Sequence, residues 1–184
     1  MKRPATGKIL YSAVALNAGW FAGVLGAAWN YPLTGIGIVL ALVMLHLAVM
    51  VRSPRREILL LLGAGLLGYL LDSLLVLADV VGFVHDAQLL GPTTAWMVAL
   101  WLNLATGLGL ALYWLSGRPL LAAWLGFIGG PLAYWGGAEL GAITFPEGIV
   151  QGLAFIALEW AIAMPLLVEF NDFLHGWKPE ETGT

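Results

Sequence analysis

The sequence predicts an all-α polytopic membrane protein, with six transmembrane helices forming a single domain over residues 1–184. Three observations carry that expectation. Hydrophobic residues make up 60% of the chain and charged residues 10%, and the mean hydropathy is +0.89, too apolar for a domain solvated by water on every side. Apolar stretches near the ~20 residues that a spanning helix needs recur from end to end. All eight Lys and Arg residues fall on one side of a six-span arrangement, the distribution that the positive-inside rule describes.

The first span is read over 9–29. Lys2, Arg3 and Lys8 precede it, a pattern shared with cleaved signal peptides, but the run from Ile9 to Trp29 exceeds their usual apolar region of about 7–15 residues, so a retained helix is expected. Asn30, Tyr31 and Pro32 end it, and the second span follows over 34–51. The segment from Arg52 to Glu57 leads into the third, 58–81. Gly91 and Pro92 precede the fourth, 94–115, and Ser116 to Pro119 precede the fifth, 120–140. Gly129, Gly130 and Pro131 stand at the middle of the fifth, which is expected to kink. Phe145, Pro146 and Glu147 precede the sixth, 148–170, and 171–184 is read as a cytoplasmic tail.

This arrangement places Lys2, Arg3 and Lys8 with Arg52, Arg55, Arg56, Arg118 and Lys178, while the opposite loops carry His85, Asp86 and Glu147 without a Lys or Arg. Both termini are therefore expected in the cytoplasm. Tyr11, Tyr113, Trp114 and Trp177 would form the inner aromatic belt and Trp29, Tyr31, Trp96 and Trp135 the outer one. Glycines four apart, at Gly19 and Gly23, Gly126 and Gly130, and Gly137 and Gly141, would let helix backbones approach.

Four polar residues lie at the wrong depth. Counting from each span's centre at 1.5 Å per residue puts Asn17, Asp72, Asn103 and Glu159 within about 5 Å of the midplane. A carboxylate there is costly unless it is neutral or faces a polar cavity. With no Lys or Arg at that depth, Asp72 and Glu159 are expected to face the bundle interior, near each other, with at least one protonated near neutral pH. Asn17 and Asn103 either orient them or hydrogen-bond between helices. Trp20, Trp101 and Trp160 share this depth and suggest aromatic walls for an apolar chain or a cation. Asp79, Glu139 and Gln151 form a second tier, read as an outer polar path or as solvated helix ends. Asp79 follows Asp72 by seven residues and so shares nearly the same helix face. His46 lies toward the cytoplasmic side and reads as a buried, hydrogen-bonded histidine.

The halves of the chain echo one another. Asn17 and Asn103 are 86 positions apart, and Pro32 and Pro119, like Asp72 and Glu159, 87. Three spans per half would make such a duplication an inverted repeat, as in many transporters.

Several chemistries are excluded. Cys is absent, which removes disulfides, thiol catalysis and thiolate metal sites. No Gly-x-Ser-x-Gly, His-Glu-x-x-His, phosphate-cradling glycine loop or nucleic-acid-binding basic patch occurs. A metal on Asp72, Glu159 and His46 lacks a complete ligand set, and no metal or cofactor is expected.

The stretches at 68–83 (GYLLDSLLVLADVVGF), 96–108 (WMVALWLNLATGL) and 126–143 (GFIGGPLAYWGGAELGAI) resemble a family of short bacterial inner-membrane proteins catalogued as domain of unknown function 2878. The resemblance covers the third to fifth spans best and transfers no activity or residue role. It implies a lipid-related role, because genes of that family often neighbour those of lipid-modifying enzymes.

The expected function is binding or transport of a small amphipathic or lipid-like molecule in a midplane pocket. Asp72 and Glu159 would be its ligand-binding or proton-linked carboxylates. Two alternatives stand beside it: a membrane enzyme using a buried carboxylic acid on a lipid or isoprenoid, and the substrate-binding subunit of a multi-component transporter. Membrane lipid is an expected partner, nucleic acid is not, and a homo-oligomer or a membrane partner protein remains open.

Overall fold

The computed structural model describes residues 3–51, 53–84 and 91–176. Six α-helices lie among them: α1 (Thr6–Ala28), α2 (Pro32–Val49), α3 (Pro54–Leu77), α4 (Ala95–Leu108), α5 (Pro119–Glu139) and α6 (Ile149–His175). Strands β1 (Gly82–Phe83) and β2 (Ile143–Thr144) pair antiparallel. Lys2, Arg52, His85, Asp86, Trp177 and Lys178, with the remainder of the expected tail, fall outside the described residues.

The helix ends follow from their residues. Pro32, Pro54 and Pro119 open α2, α3 and α5, where the missing N–H would have had no helical partner. Thr94 caps α4, its Oγ1 accepting from the Met97 amide at 3.4 Å. Gly176 ends α6 in the left-handed region, at φ 67°.

Four helices, α1, α2, α3 and α6, are long and apolar enough to cross a membrane. The other two depart from the expected spans for separate reasons. α4 has 14 residues and is about 21 Å long. It ends at Leu108, and the chain turns through Gly109 into one 3-10 turn at Tyr113–Leu115 instead of continuing to 115. α5 has 21 residues, but Gly126, Gly129, Gly130, Gly136 and Gly137 dilute its hydropathy. It runs through Pro131 as one helix.

Contacts order the helices end to end. The starts of α1, α3 and α5 lie with the ends of α2 and α6: Lys8 Nζ reaches the Met50 carbonyl, Glu57 meets His46 and His175, and the Gly117 amide donates to Asp172. This is the termini end. The β1–β2 pair ties the segment after α3 to the segment after α5 and marks the opposite, hairpin end.

α4 is the central element and packs on α1, α2, α3 and α6. α5 packs on α6, and α2 on α1 and α4. An inverted repeat would make α2 and α5 counterparts, yet the first leans on the helix before it and the second on the helix after it. The packing does not follow the repeat. Two of the three glycine pairs serve close approach: a Cβ at Gly126 would lie 2.1 Å from the Trp160 carbonyl oxygen and one at Gly130 2.3 Å from the Trp160 ring. Gly19 and Gly23 receive Asn103 and Leu100 of α4. Gly141 instead stands in a turn at φ 87° with open space around it. α3 leaves Leu62, Leu66, Leu70, Leu74 and Leu77 exposed along one stripe, a face that suits lipid and that water would solvate poorly.

Candidate functional site: an aromatic pocket backed by a carboxylate

A cavity of about 300 Å³ lies between α1, α4, α5 and α6, within the size range of small-molecule sites. Its wall includes Trp20 from α1, Trp96 and Trp101 from α4, Tyr134 from α5 and Trp160 from α6. Trp101 and Trp160 stack, with ring centroids 4.6 Å apart and planes 18° from parallel. The glycines of α5 allow this: at Gly130 the helix surface is hollow and Trp160 fills it. Gly129 also lines the cavity, and a Cβ there would meet nothing within 4 Å. At the α1–α5 boundary, a side chain at Gly136 would press on the Trp20 ring at 3.2 Å.

Asp72 stands behind this wall and not in it. It is 1% exposed, and Oδ2 accepts a 2.8 Å hydrogen bond from Trp101 Nε1. Tyr134 donates its hydroxyl hydrogen to Oδ1. Three helices thus converge on one carboxyl group, and both donors present their other faces to the cavity. Glu159 lies within electrostatic reach of Asp72 and of Tyr134. Its Oε1 is buried with no hydrogen-bond partner among the described residues. Trp96 Nε1 and Trp160 Nε1 are likewise buried and unpartnered there.

The two asparagines have different surroundings. Asn103 is buried and donates to the Leu16 carbonyl of α1 at 2.9 Å, which fixes α4 to α1. Asn17 is exposed on the cavity side and bonds the Ala13 carbonyl of its own helix at 2.8 Å. Neither hydrogen-bonds Asp72 or Glu159.

Several sequence expectations need correction. α3 begins at Pro54 and stops at Leu77, so Asp72 lies five residues, about 8 Å, from its hairpin end and not at its middle. Tyr134 stands equally far from the end of α5 at Glu139. The outer polar path is not continuous: Asp79 falls beyond the end of α3 at φ 55° and leaves the face of Asp72. Glu139 is exposed and accepts from Trp135 of its own helix. Gln151 is exposed and joins Glu147 in a separate hollow between the ends of α3 and α6. Trp96, expected in the outer belt, is 1% exposed and part of the pocket wall. His46 cannot meet Asp72, because its partner Glu57 lies fifteen residues, about 22 Å, down the same helix.

Sequence reasoning missed Tyr134 as a site residue. The available signal was a phenol well inside an apolar helix, whose hydroxyl needs a partner once buried. It missed the second cluster as well, in which Glu57 Oε1 meets His46 Nε2 at 2.9 Å and Oε2 lies 3.5 Å from His175 Nε2. This carboxyl group has a basic side chain on either oxygen.

No curated protein and no solved structure matches this chain. Residues 9–166 match a protein family described as a protein of unknown function, DUF2878. That range runs from the first turn of α1 through most of α6 and takes in the pocket, Asp72, Tyr134 and Glu159, so the chain belongs to the DUF2878 family.

Proposed function

We propose that this is a multi-pass protein of the bacterial inner membrane, with all six helices embedded and both termini cytoplasmic, that binds a small amphipathic or lipid-like molecule in the aromatic pocket. The one-sided placement of the eight Lys and Arg residues supports the orientation. The central place of α4 and the packing of α5 along α6 support embedding of both. The observation that carries the function is a cavity of about 300 Å³ walled by four indoles and a phenol, with Asp72 held directly behind Trp101 and Tyr134. An apolar cavity with a few convergent polar groups is the usual form of a ligand site. Transport of the same molecule is the extended reading. Its support from an internal repeat is weakened by the unlike packing of α2 and α5.

Native mass spectrometry of gently purified protein tests the reading, with Gly129→Leu as the control that fills the cavity from an open wall position. The wild type should carry an amphiphile that the variant loses while keeping its helical content. Equal occupancy in both proteins, or none in either, would overturn it.

A second reading draws on the stacked Trp101–Trp160 pair beside Asp72 and Tyr134. A membrane enzyme could protonate an alkene from such a carboxylic acid and hold the resulting cation over the indole faces. Product formation by purified protein without an ion gradient would select it.

A further inference from the structure

We infer that the ligand of this pocket is a lipophilic organic cation, an amine or quaternary ammonium head on an apolar chain, recognised by the indole faces with Asp72 and Glu159 behind them. The inference rests on the pocket reading above and adds the charge of the ligand. Four observations carry it.

The first is the wall. Trp20, Trp96, Trp101, Tyr134 and Trp160 surround one cavity, and aromatic faces attract a cation, most strongly where water is excluded. The second is the absence of a competitor: among the described residues no Lys, Arg or His lines the cavity. The third is the uncompensated pair of acids. Asp72 receives only neutral donors, Trp101 and Tyr134, and the ion pairs among the described residues all involve Glu57 at the far end of α3. The fourth is the buried Oε1 of Glu159, unpartnered among the described residues beside that pair. A positive head is the one ligand charge that the two carboxyl groups can favour; an anion entering beside them would be repelled.

The unpartnered Nε1 groups of Trp96 and Trp160 pull the other way. They would welcome an oxygen acceptor, which an alcohol or a carboxylate supplies. The carboxyl group of Asp72 behind the wall and that of Glu159 within electrostatic reach of it outweigh two neutral N–H donors for a full charge, so the cation is expected to prevail. An acceptor oxygen close to the cationic centre would satisfy both sets.

The test uses full-length protein in nanodiscs of zwitterionic lipid, titrated by indole fluorescence with octyltrimethylammonium, octanol and octanoate. The cation should bind at least about tenfold more tightly than octanol, with octanoate weakest. The double variant Asp72→Asn/Glu159→Gln should lose this preference while still binding octanol, and Gly129→Leu should weaken all three. Octanol or octanoate binding as tightly as the cation would overturn the inference and leave the pocket reading standing. A preference unchanged in the double variant would overturn it too. Failure of every probe, or indifference to Gly129→Leu, would remove both readings. The wild-type series alone decides the ligand charge if the double variant does not fold.

Discussion

Helix α3 carries two buried carboxylic acids, and their surroundings differ in every respect that matters. Glu57, at the termini end, sits between His46 of α2 and His175 of α6 and gives each oxygen a basic partner. Asp72, near the hairpin end, gives its oxygens to an indole and a phenol and has no basic partner among the described residues. The donors of Asp72, unlike Glu57, are among the residues that line the aromatic cavity. A paired acid that joins three helices is explained by cohesion. An acid with neutral donors, a neighbour in Glu159 whose Oε1 is unpartnered among the described residues, and open volume beyond its partners is the arrangement on which the proposed ligand site rests.

Substitutions at the two ends should separate these roles. The largest loss of stability is expected from Glu57→Ala, which leaves buried His46 and half-buried His175 without their anion and should cost about 3 kcal/mol in detergent unfolding. Probe binding at the pocket should stay unchanged, and a parallel loss of both would erase the distinction. Next comes Asp72→Ala, which strands the Trp101 and Tyr134 donors at about 2 kcal/mol. Here binding should fall by a larger factor than stability predicts, as measured by indole fluorescence at matched folded fraction. The smallest effect belongs to Trp101→Phe. It keeps an aromatic ring on Trp160 and removes one hydrogen bond to Asp72, for about 1 kcal/mol. If Trp101→Phe proved as destabilising as Asp72→Ala, the carboxyl group would be holding the helices chiefly through that one bond.

Much of the molecule was legible before folding was considered. Pro32, Pro54 and Pro119 mark helix starts because a residue without an N–H is cheapest there, and they do so in the structure. Apolar composition announced helices, because spanning segments must satisfy their own backbone, and four of them are long and apolar enough to cross a membrane. Asp72, Trp101 and Trp160 stood out because their chemistry conflicts with hydrocarbon, and they meet at one wall through two direct contacts. α4 was overestimated because hydropathy continues past Leu108 while the backbone turns at Gly109. Asp79 leaves the face that seven-residue spacing predicts because α3 ends two residues earlier.

The sequence by itself determined the apolar character of this protein, the positions of its helices and the presence of ionisable groups among apolar ones, since each depends on composition or on neighbours along the chain. Tertiary structure alone decided which groups meet. That α4 would stand at the centre, that Tyr134 and Trp101 would claim the two oxygens of Asp72, and that Glu57 would find two histidines while Asp72 found none are matters of helix packing. Helix packing depends on the shapes of glycine hollows and indole rings from distant parts of the chain, and no local pattern encodes them.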